Sequence, residues 1–127
     1  FPDHVAPAVV ADLHVALPVG QDLARLRWIA SGDDWFDGTA ASYDIRAFDR
    51  VITAANWDSA RKCTGKPLPS RAGTEERFSV RDLTPGNTYY FALQTTDESQ
   101  NVSPISNVVS ATTPPEKFSA ASFGPIM

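Results

Sequence analysis

Short runs in which apolar and polar residues alternate recur along the chain, and each run predicts a β-strand with one buried face. Successive side chains of a strand point to opposite faces, so inward positions repeat every second residue. By this rule the inward positions are Ala11, Leu13, Val15 and Leu17 in the first strand, Ala24, Leu26 and Trp28 in the second, Tyr43, Ile45 and Ala47 in the third, and Glu76, Phe78 and Val80 in a later strand. Turn-forming residues separate these runs, which is typical of an antiparallel arrangement.

The stretch from Leu83 to Leu93 joins a turn to a strand without a break, and it predicts a central strand. Pro85 fixes the backbone for a turn, and Gly86 and Asn87 tolerate the dihedral angles that follow. Period-two alternation then places Tyr89, Phe91, Leu93 and Thr95 on the inward face.

The middle of the chain and its last strand are less regular. We expect one helical turn or a coil between Ile52 and Ala60, with the ring of Trp57 buried as its anchor. A short edge strand is predicted at Arg61–Thr64, and a last strand, whose inward parity the pattern does not assign, at Val108–Thr112. Seven short strands and no long helix predict an all-β antiparallel sandwich.

Length and charge narrow the class of protein. The 127 residues suit one domain, with a lead-in at 1–7, the domain at 8–113 and a linker or docking tail at 114–127. A net charge of −4 argues against binding of nucleic acid, and no apolar run is long enough to insert into a membrane. The first residue is Phe, with no signal-type segment before it, so we expect a processed or excised piece.

Several segments together resemble a fibronectin type III domain over roughly residues 6–113. They are Leu26-Arg27-Trp28, Ser42-Tyr43-Asp44-Ile45-Arg46 and Leu83-x-Pro85-x-x-x-Tyr89. The resemblance implies a seven-stranded immunoglobulin-like sandwich with a tyrosine corner. In that corner the ring of Tyr89 packs in the core near Trp28, and its hydroxyl bonds backbone near Leu83 to Pro85.

The run from Asp97 to Asn107 resembles a variant of this family that is frequent in bacterial and archaeal surface proteins and secreted hydrolases. It reads Asp97-Glu98-x-x-Asn101-x-Ser103-Pro104-x-Ser106-Asn107, with Gln100 where the variant often has Gly. The resemblance implies an extracellular or cell-surface location. The sandwich itself hosts many roles, so a specific function has to come from the loops and the tail.

Catalytic residue patterns are absent from the sequence, and we predict that the protein is not an enzyme. The two histidines, His4 and His14, have no nucleophile beside them, and the single cysteine, Cys63, has no neighbouring histidine. No phosphate-binding loop, nucleophile elbow or zinc-protease motif occurs. A lone cysteine excludes an internal disulfide, and Cys63 is expected to be a small, semi-buried apolar residue, with a reactive or crosslinking thiol as the alternative.

Five carboxylates fall on two loops that the type III topology places at the same end: Asp33, Asp34, Asp37, Asp97 and Glu98. Calcium prefers six to eight oxygen ligands, so the cluster indicates a candidate calcium site, although the spacing matches no EF-hand. The alternative is that these aspartates accept hydrogen bonds from loop amides and need no metal.

The first of those loops also carries Trp35 and Phe36, adjacent aromatic residues that suit contact with a protein or glycan. Alternatively, one ring folds back as a lid over the core. The tail contains Phe118, Phe123, Ile126 and Met127 after Pro114-Pro115, and it is either an interdomain linker or a segment that docks on this domain or another subunit.

Three functions remain open at this point. The first is a non-catalytic spacer or adhesion module of a larger extracellular or cell-surface protein. The second is a structural subunit that self-assembles through its tail and sheet edges. The third is a carbohydrate-contacting accessory domain of a secreted hydrolase.

Overall fold

The computed structural model describes residues 6–32 and 38–115, and it contains two antiparallel sheets packed face to face. The strands are β1 (His14–Ala16), β2 (Ala24–Ile29), β3 (Ser42–Phe48), β4 (Arg61–Lys62), β5 (Glu75–Val80), β6 (Thr88–Thr96) and β7 (Val109–Thr112). One 3-10 turn, Trp57–Ser59, precedes β4. The predicted seven-stranded antiparallel sandwich is therefore confirmed.

The smaller sheet has the order β1-β2-β5, and the larger has the order β4-β3-β6-β7. Leu26 of β2 lies opposite both Val15 of β1 and Phe78 of β5. In the larger sheet Ile45 of β3 pairs with Leu93 of β6, and Tyr89 of β6 pairs with Ala111 of β7. In the described ranges no helix is long and apolar enough to cross a bilayer.

The core lies between the two sheets and is built from the inward positions of the central strands. Ala24, Leu26 and Trp28 are fully buried on one side, as are Ile45, Phe91 and Leu93 on the other. The rings of Trp28 and Tyr43 meet edge to face with centroids 5.1 Å apart, a favourable geometry for an aromatic pair. The predicted parity of β2, β3 and β6 is confirmed by this burial.

Two sequence predictions about buried residues were wrong, one in the first strand and one in the segment before β4. Leu17 is 81% exposed and Ala11 is also exposed, because regular alternation in the first strand holds only over His14–Ala16. Trp57 is only half-buried, and its ring lies against the guanidinium of Arg46 at 5.0 Å from the ring centroid. Ile52, 2% exposed, and Ala60, 5% exposed, bury their side chains in that segment instead.

The tyrosine corner is present, but the ring of Tyr89 is placed differently from the expectation. Its hydroxyl accepts a 2.8 Å hydrogen bond from the backbone N–H of Thr84. Tyr89 is half-buried at the margin of the core, and the aromatic partner of Trp28 is Tyr43 instead. The bond stabilises the turn after Leu83, which itself is buried.

Candidate functional site

The end of the sandwich that carries the described residues 30–32, 38–41, 65–74 and 97–108 is called the loop end below. Backbone hydrogen bonds hold these residues in place. The amide of Ala30 donates to Thr74, and the amide of Gly73 donates back to Ala30, both at 2.8–2.9 Å. The amide of Ala41 donates to Thr96 at 2.8 Å. The connection between β2 and β3 is thus held to the sheets at both of its ends.

Asp97, one of the predicted calcium ligands, uses its carboxylate to shape the loop after β6. The residue is fully buried. Its Oδ1 accepts hydrogen bonds from the amides of Ser99 (2.9 Å) and Asn101 (2.8 Å), and its Oδ2 accepts one from the Asn101 side chain (3.0 Å). These bonds are the turn chemistry that the sequence offered as the alternative to a metal. Within residues 6–32 and 38–115, no group of three or more metal-binding side chains occurs.

Most of the other predicted site residues lie outside the described residues. These are Asp33, Asp34, Trp35, Phe36 and Asp37 of the first loop and Phe118, Phe123, Ile126 and Met127 of the tail. Glu98 is described and lies exposed in the same loop as Asp97. The calcium and aromatic-contact hypotheses therefore stay predictions.

A hollow of about 420 Å³ lies at the loop end, between the segment leading into β1 and the end of β2. Its lining is mainly apolar and includes Val9, Val10, Ile29, Ala30 and Ser31. Ser31 is 5% exposed, and its hydroxyl has no hydrogen-bond partner within the described ranges. The hollow combines apolar walls with one unused hydroxyl, which is typical of small-ligand and side-chain sites.

Glu76 is a buried charged residue whose position the β5 alternation predicted and whose partners it did not. It is 5% exposed. Its carboxylate accepts hydrogen bonds from the Tyr43 hydroxyl (2.7 Å), the Ser70 amide (2.7 Å) and the Ser70 hydroxyl (3.1 Å). Burial, reinforced by the bond to Glu76, raises the pKa of Tyr43 well above its usual range. The bond from Tyr43 to Glu76 joins the two sheets through the interior.

Three polar side chains between β6 and β7 form hydrogen bonds with backbone groups of neighbouring segments. The sequence analysis had not predicted these bonds. The hydroxyl of Ser103 accepts from the Thr95 amide and that of Ser106 from the Leu93 amide, each at 2.9 Å. The side chain of Asn107 accepts from the Leu13 amide (2.9 Å) and donates to the Leu13 carbonyl (2.8 Å). The run Ser103-Pro104-x-Ser106-Asn107, which carries part of the family resemblance, is the sequence feature that could have indicated these bonds.

The chain also leaves the last strand along a fixed path at the opposite end. Thr113 is 1% exposed, and its hydroxyl donates to the Thr84 carbonyl at 2.7 Å. The amide of Gly86 lies 3.1 Å from the carbonyls of Thr113 and Pro114, and the side chain of Gln21 donates to the Pro115 carbonyl at 3.0 Å. The chain after β7 is therefore hydrogen-bonded to the turn that precedes Tyr89.

Solved structures with this architecture decide the fold. The chain superimposes on the sixth fibronectin type III domain of human fibronectin type III domain containing protein 3, covering 91% of this chain and 92% of that one, with a TM-score of 0.57 and 20% identity. The third fibronectin III domain of human KIAA0343 protein gives a TM-score of 0.60 at 17% identity, covering 91% and 90%. The chain has the fibronectin type III fold.

The same fold occurs inside a much larger enzyme. In the β-1,2-glucanase from Parabacteroides distasonis the match covers 87% of this chain and 13% of that chain, with a TM-score of 0.58 and 20% identity. The superpositions establish the fibronectin type III fold, and the fold does not determine the function of the chain.

Curated relatives are similar in sequence as well. Calcium-activated chloride channel regulator 1 of Sus scrofa is 32% identical over 124 residues, which are 91% of this chain and 13% of that protein. The Mus musculus and Homo sapiens proteins of that name are 32% and 31% identical, covering 85% and 91% of this chain. The chain spans 12–14% of the length of these relatives. No family model matches.

Proposed function

We propose that the chain is a non-catalytic structural module of a longer extracellular or cell-surface protein, in which it holds neighbouring segments at a set separation. The observation that carries the proposal is the match to relatives in which the chain corresponds to 12–14% of the length. A unit of this kind supplies spacing and orientation within a longer chain.

The internal bonding of the sandwich suits a spacer. Glu76 and Tyr43 join the sheets through the interior, and Asn107 joins the segments that lead into β1 and β7. The exit from β7 is held by Thr113 and Gln21. Since these bonds tie both sheets and the departing chain together, force and orientation pass through the domain as one body.

The test is a replacement experiment in a longer protein that contains the chain. Spin labels in the segments on either side report the distance between them by electron–electron resonance. An unrelated β-sandwich of similar length in place of the domain is expected to keep a narrow distance distribution, and a Gly/Ser linker with the same number of residues should broaden it. Equal widths for the natural domain and the linker would contradict the spacer function.

A second candidate is a carbohydrate-contacting accessory domain, favoured by the hollow beside Ser31 and by the structural match to part of a β-1,2-glucanase. The sequence continues from Ser31 to Trp35 and Phe36, side chains on which sugar rings stack. Titration of the chain with soluble β-glucan, followed by amide chemical shifts, tests it. A response near Ser31 that disappears in the W35A/F36A variant supports this candidate, and no response excludes it.

A third candidate is self-assembly through the tail, favoured by an exposed apolar side chain, Leu17, at a sheet edge. Sedimentation velocity over a hundredfold range of concentration tests it, because a self-assembling chain changes its mean sedimentation coefficient and a monomer does not.

Calcium binding through Asp33, Asp34, Asp37, Asp97 and Glu98 is a separate proposal. It is tested by isothermal titration of the chain with calcium. Neither heat nor a shift in the melting temperature would exclude the site.

A further inference from the structure

An apolar groove separates the edges of the two sheets on the side where β1 faces β7. It has a volume of about 540 Å³ and is lined on one side by Val15, Leu17 and Val19 and on the other by Val109 and Ala111. Leu17 is 81% exposed, while Val15, Val19 and Val109 are half-buried against the core. Edge strands are often covered by another segment, so an apolar groove between two sheet edges is a surface on which such a segment can pack.

The departing chain begins at one end of this groove. β1 and β7 run side by side from the loop end, and the chain continues past β7 to Pro115. The Pro115 carbonyl accepts the hydrogen bond from Gln21, which lies two residues beyond Val19 of the groove wall. The amide of Gly86 fixes the preceding residues, Thr113 and Pro114, from the other side. The described part of the chain therefore ends next to the groove.

The following segment has the length and composition to fill the groove. Residues 116–127 carry Phe118, Phe123, Ile126 and Met127 and only two charged residues, Glu116 and Lys117, both at the start. Twelve residues reach about 40 Å when extended. The four residues of β7 span only about 13 Å of strand. A turn after Pro115 thus leaves ample chain to run back along the groove, opposite in direction to β7.

We propose that residues 116–127 dock in cis, in the groove between β1 and β7 of the same chain. Docking in cis is favoured over docking on a second copy because the bond from Gln21 to Pro115 holds the start of the segment beside its site. Such tethering gives an effective concentration in the millimolar range, far above that of a second copy in dilute solution. The inference stands independently of the spacer function, since a spacer works with or without a docked tail.

The full chain with one substitution at a time tests the proposal. The readouts are heteronuclear NOE values and hydrogen-exchange rates for the amides of residues 116–127. In the unaltered chain, the NOE values around Phe123 should approach those of the strands at every protein concentration. Leu17→Asp places a charge in the groove and should lower them to values of a free tail, with at least tenfold faster exchange at Phe123.

Leu68→Asp is the matched control, because Leu68 is 82% exposed, almost the same as Leu17, and does not line the groove. It should leave the tail ordered. Phe123→Ser is a second variant that alters no described residue and should also free the tail. A tail that is mobile in the unaltered chain would overturn the proposal, as would order that appears only at high concentration, which would indicate docking on a second copy.

Discussion

The two long sides of the sandwich are closed in different ways. On the β4–β5 side, the Arg61 guanidinium crosses between the sheets and donates to the carbonyls of Arg81 (2.6 Å) and Asp82 (3.4 Å), over a small hollow of about 180 Å³ that Cys63 helps to line. On the β1–β7 side, Asn107 holds Leu13 at the loop end and Gln21 holds Pro115 at the exit. Between those two clamps lies the groove of about 540 Å³.

The two sides differ in where polar side chains form hydrogen bonds between the sheets. The β4–β5 side is joined in the interior by Tyr43 and Glu76 and at the rim by Arg61, so its edges are sealed by the domain itself. Among residues 6–32 and 38–115, the side-chain hydrogen bonds across the β1–β7 side lie at its ends, and the groove between them is mainly apolar. A side joined by its own hydrogen bonds contributes stability, whereas a side held only near its two ends leaves room for a further segment to pack between them.

The largest effect is expected from Asn107→Ala, which removes the loop-end clamp. The amide and the carbonyl of Leu13, a residue only 2% exposed, would both lose their partner. Each buried backbone group left unpaired costs about 1–3 kcal/mol, so with two such groups the free energy of unfolding should fall by about 2–6 kcal/mol. Urea denaturation measures the loss.

Asn56→Ala is the matched control for that prediction. The side chain of Asn56 also accepts from one backbone amide (Thr53, 2.8 Å) and donates to one carbonyl (Val51, 2.9 Å), but at exposed positions. Water replaces those bonds, and the expected loss is about 1 kcal/mol or less. Equal losses for the two variants would mean that Asn107 does not act as a clamp of buried backbone.

The next largest effect is expected on the sealed side, from Tyr43→Phe. This variant removes the hydroxyl that donates to the buried Glu76 carboxylate and leaves Ser70 as its partner. A hydrogen bond to a charged group contributes about 1.5–3 kcal/mol, and the free energy of unfolding should drop by that amount. Tyr90→Phe is the control, since the Tyr90 hydroxyl has no hydrogen-bond partner among residues 6–32 and 38–115.

Tyr43 also gives the sealed side a dependence on alkaline pH. Burial and the bond to Glu76 raise the pKa of Tyr43 in the folded state above the value of about 10 that an unfolded tyrosine has. Its contribution is therefore complete below about pH 10 and is lost as the pH rises further. The stability difference between the unaltered chain and Tyr43→Phe should shrink above pH 10, and a constant difference would refute the assignment.

A smaller effect is expected at the exit, from Tyr89→Phe. The variant loses the bond from the Thr84 amide, in a turn that also accepts the Thr113 hydroxyl. Because Thr84 is exposed and water can replace the bond, the expected loss is about 1 kcal/mol. Hydrogen exchange should quicken at Gly86 and Thr113 more than in β2. An unchanged exchange rate there would show that the corner does not support the exit.

Alternation predicted the parts of the fold that depend on nearest neighbours in sequence. The inward faces of β2, β3 and β6 follow from period-two patterns, and even Glu76 was placed inward by parity. Parity carries no information on partners, however. Tyr43 and Ser70 reach Glu76 from 33 and 6 residues away, and that meeting depends on how two sheets are stacked.

Failures of the sequence analysis have the same physical origin. Leu17 fits the alternation of the first strand but lies beyond the end of β1, where no partner strand covers it. Asn107 looks like an ordinary loop residue, and its partner, Leu13, is 94 residues distant. Of the predicted calcium ligands, Asp97 accepts hydrogen bonds from loop amides as the alternative interpretation expected, and the calcium site itself stays a prediction.

The buried thiol of Cys63 can report how often the β4–β5 side opens. The residue is 2% exposed, and burial raises the pKa of its thiol, so that little of the reactive thiolate is present or reachable in the closed domain. Modification by a disulfide reagent must wait until the β4–β5 side opens. The rate of modification of the unaltered chain thus counts opening events on that side, with no foreign label introduced.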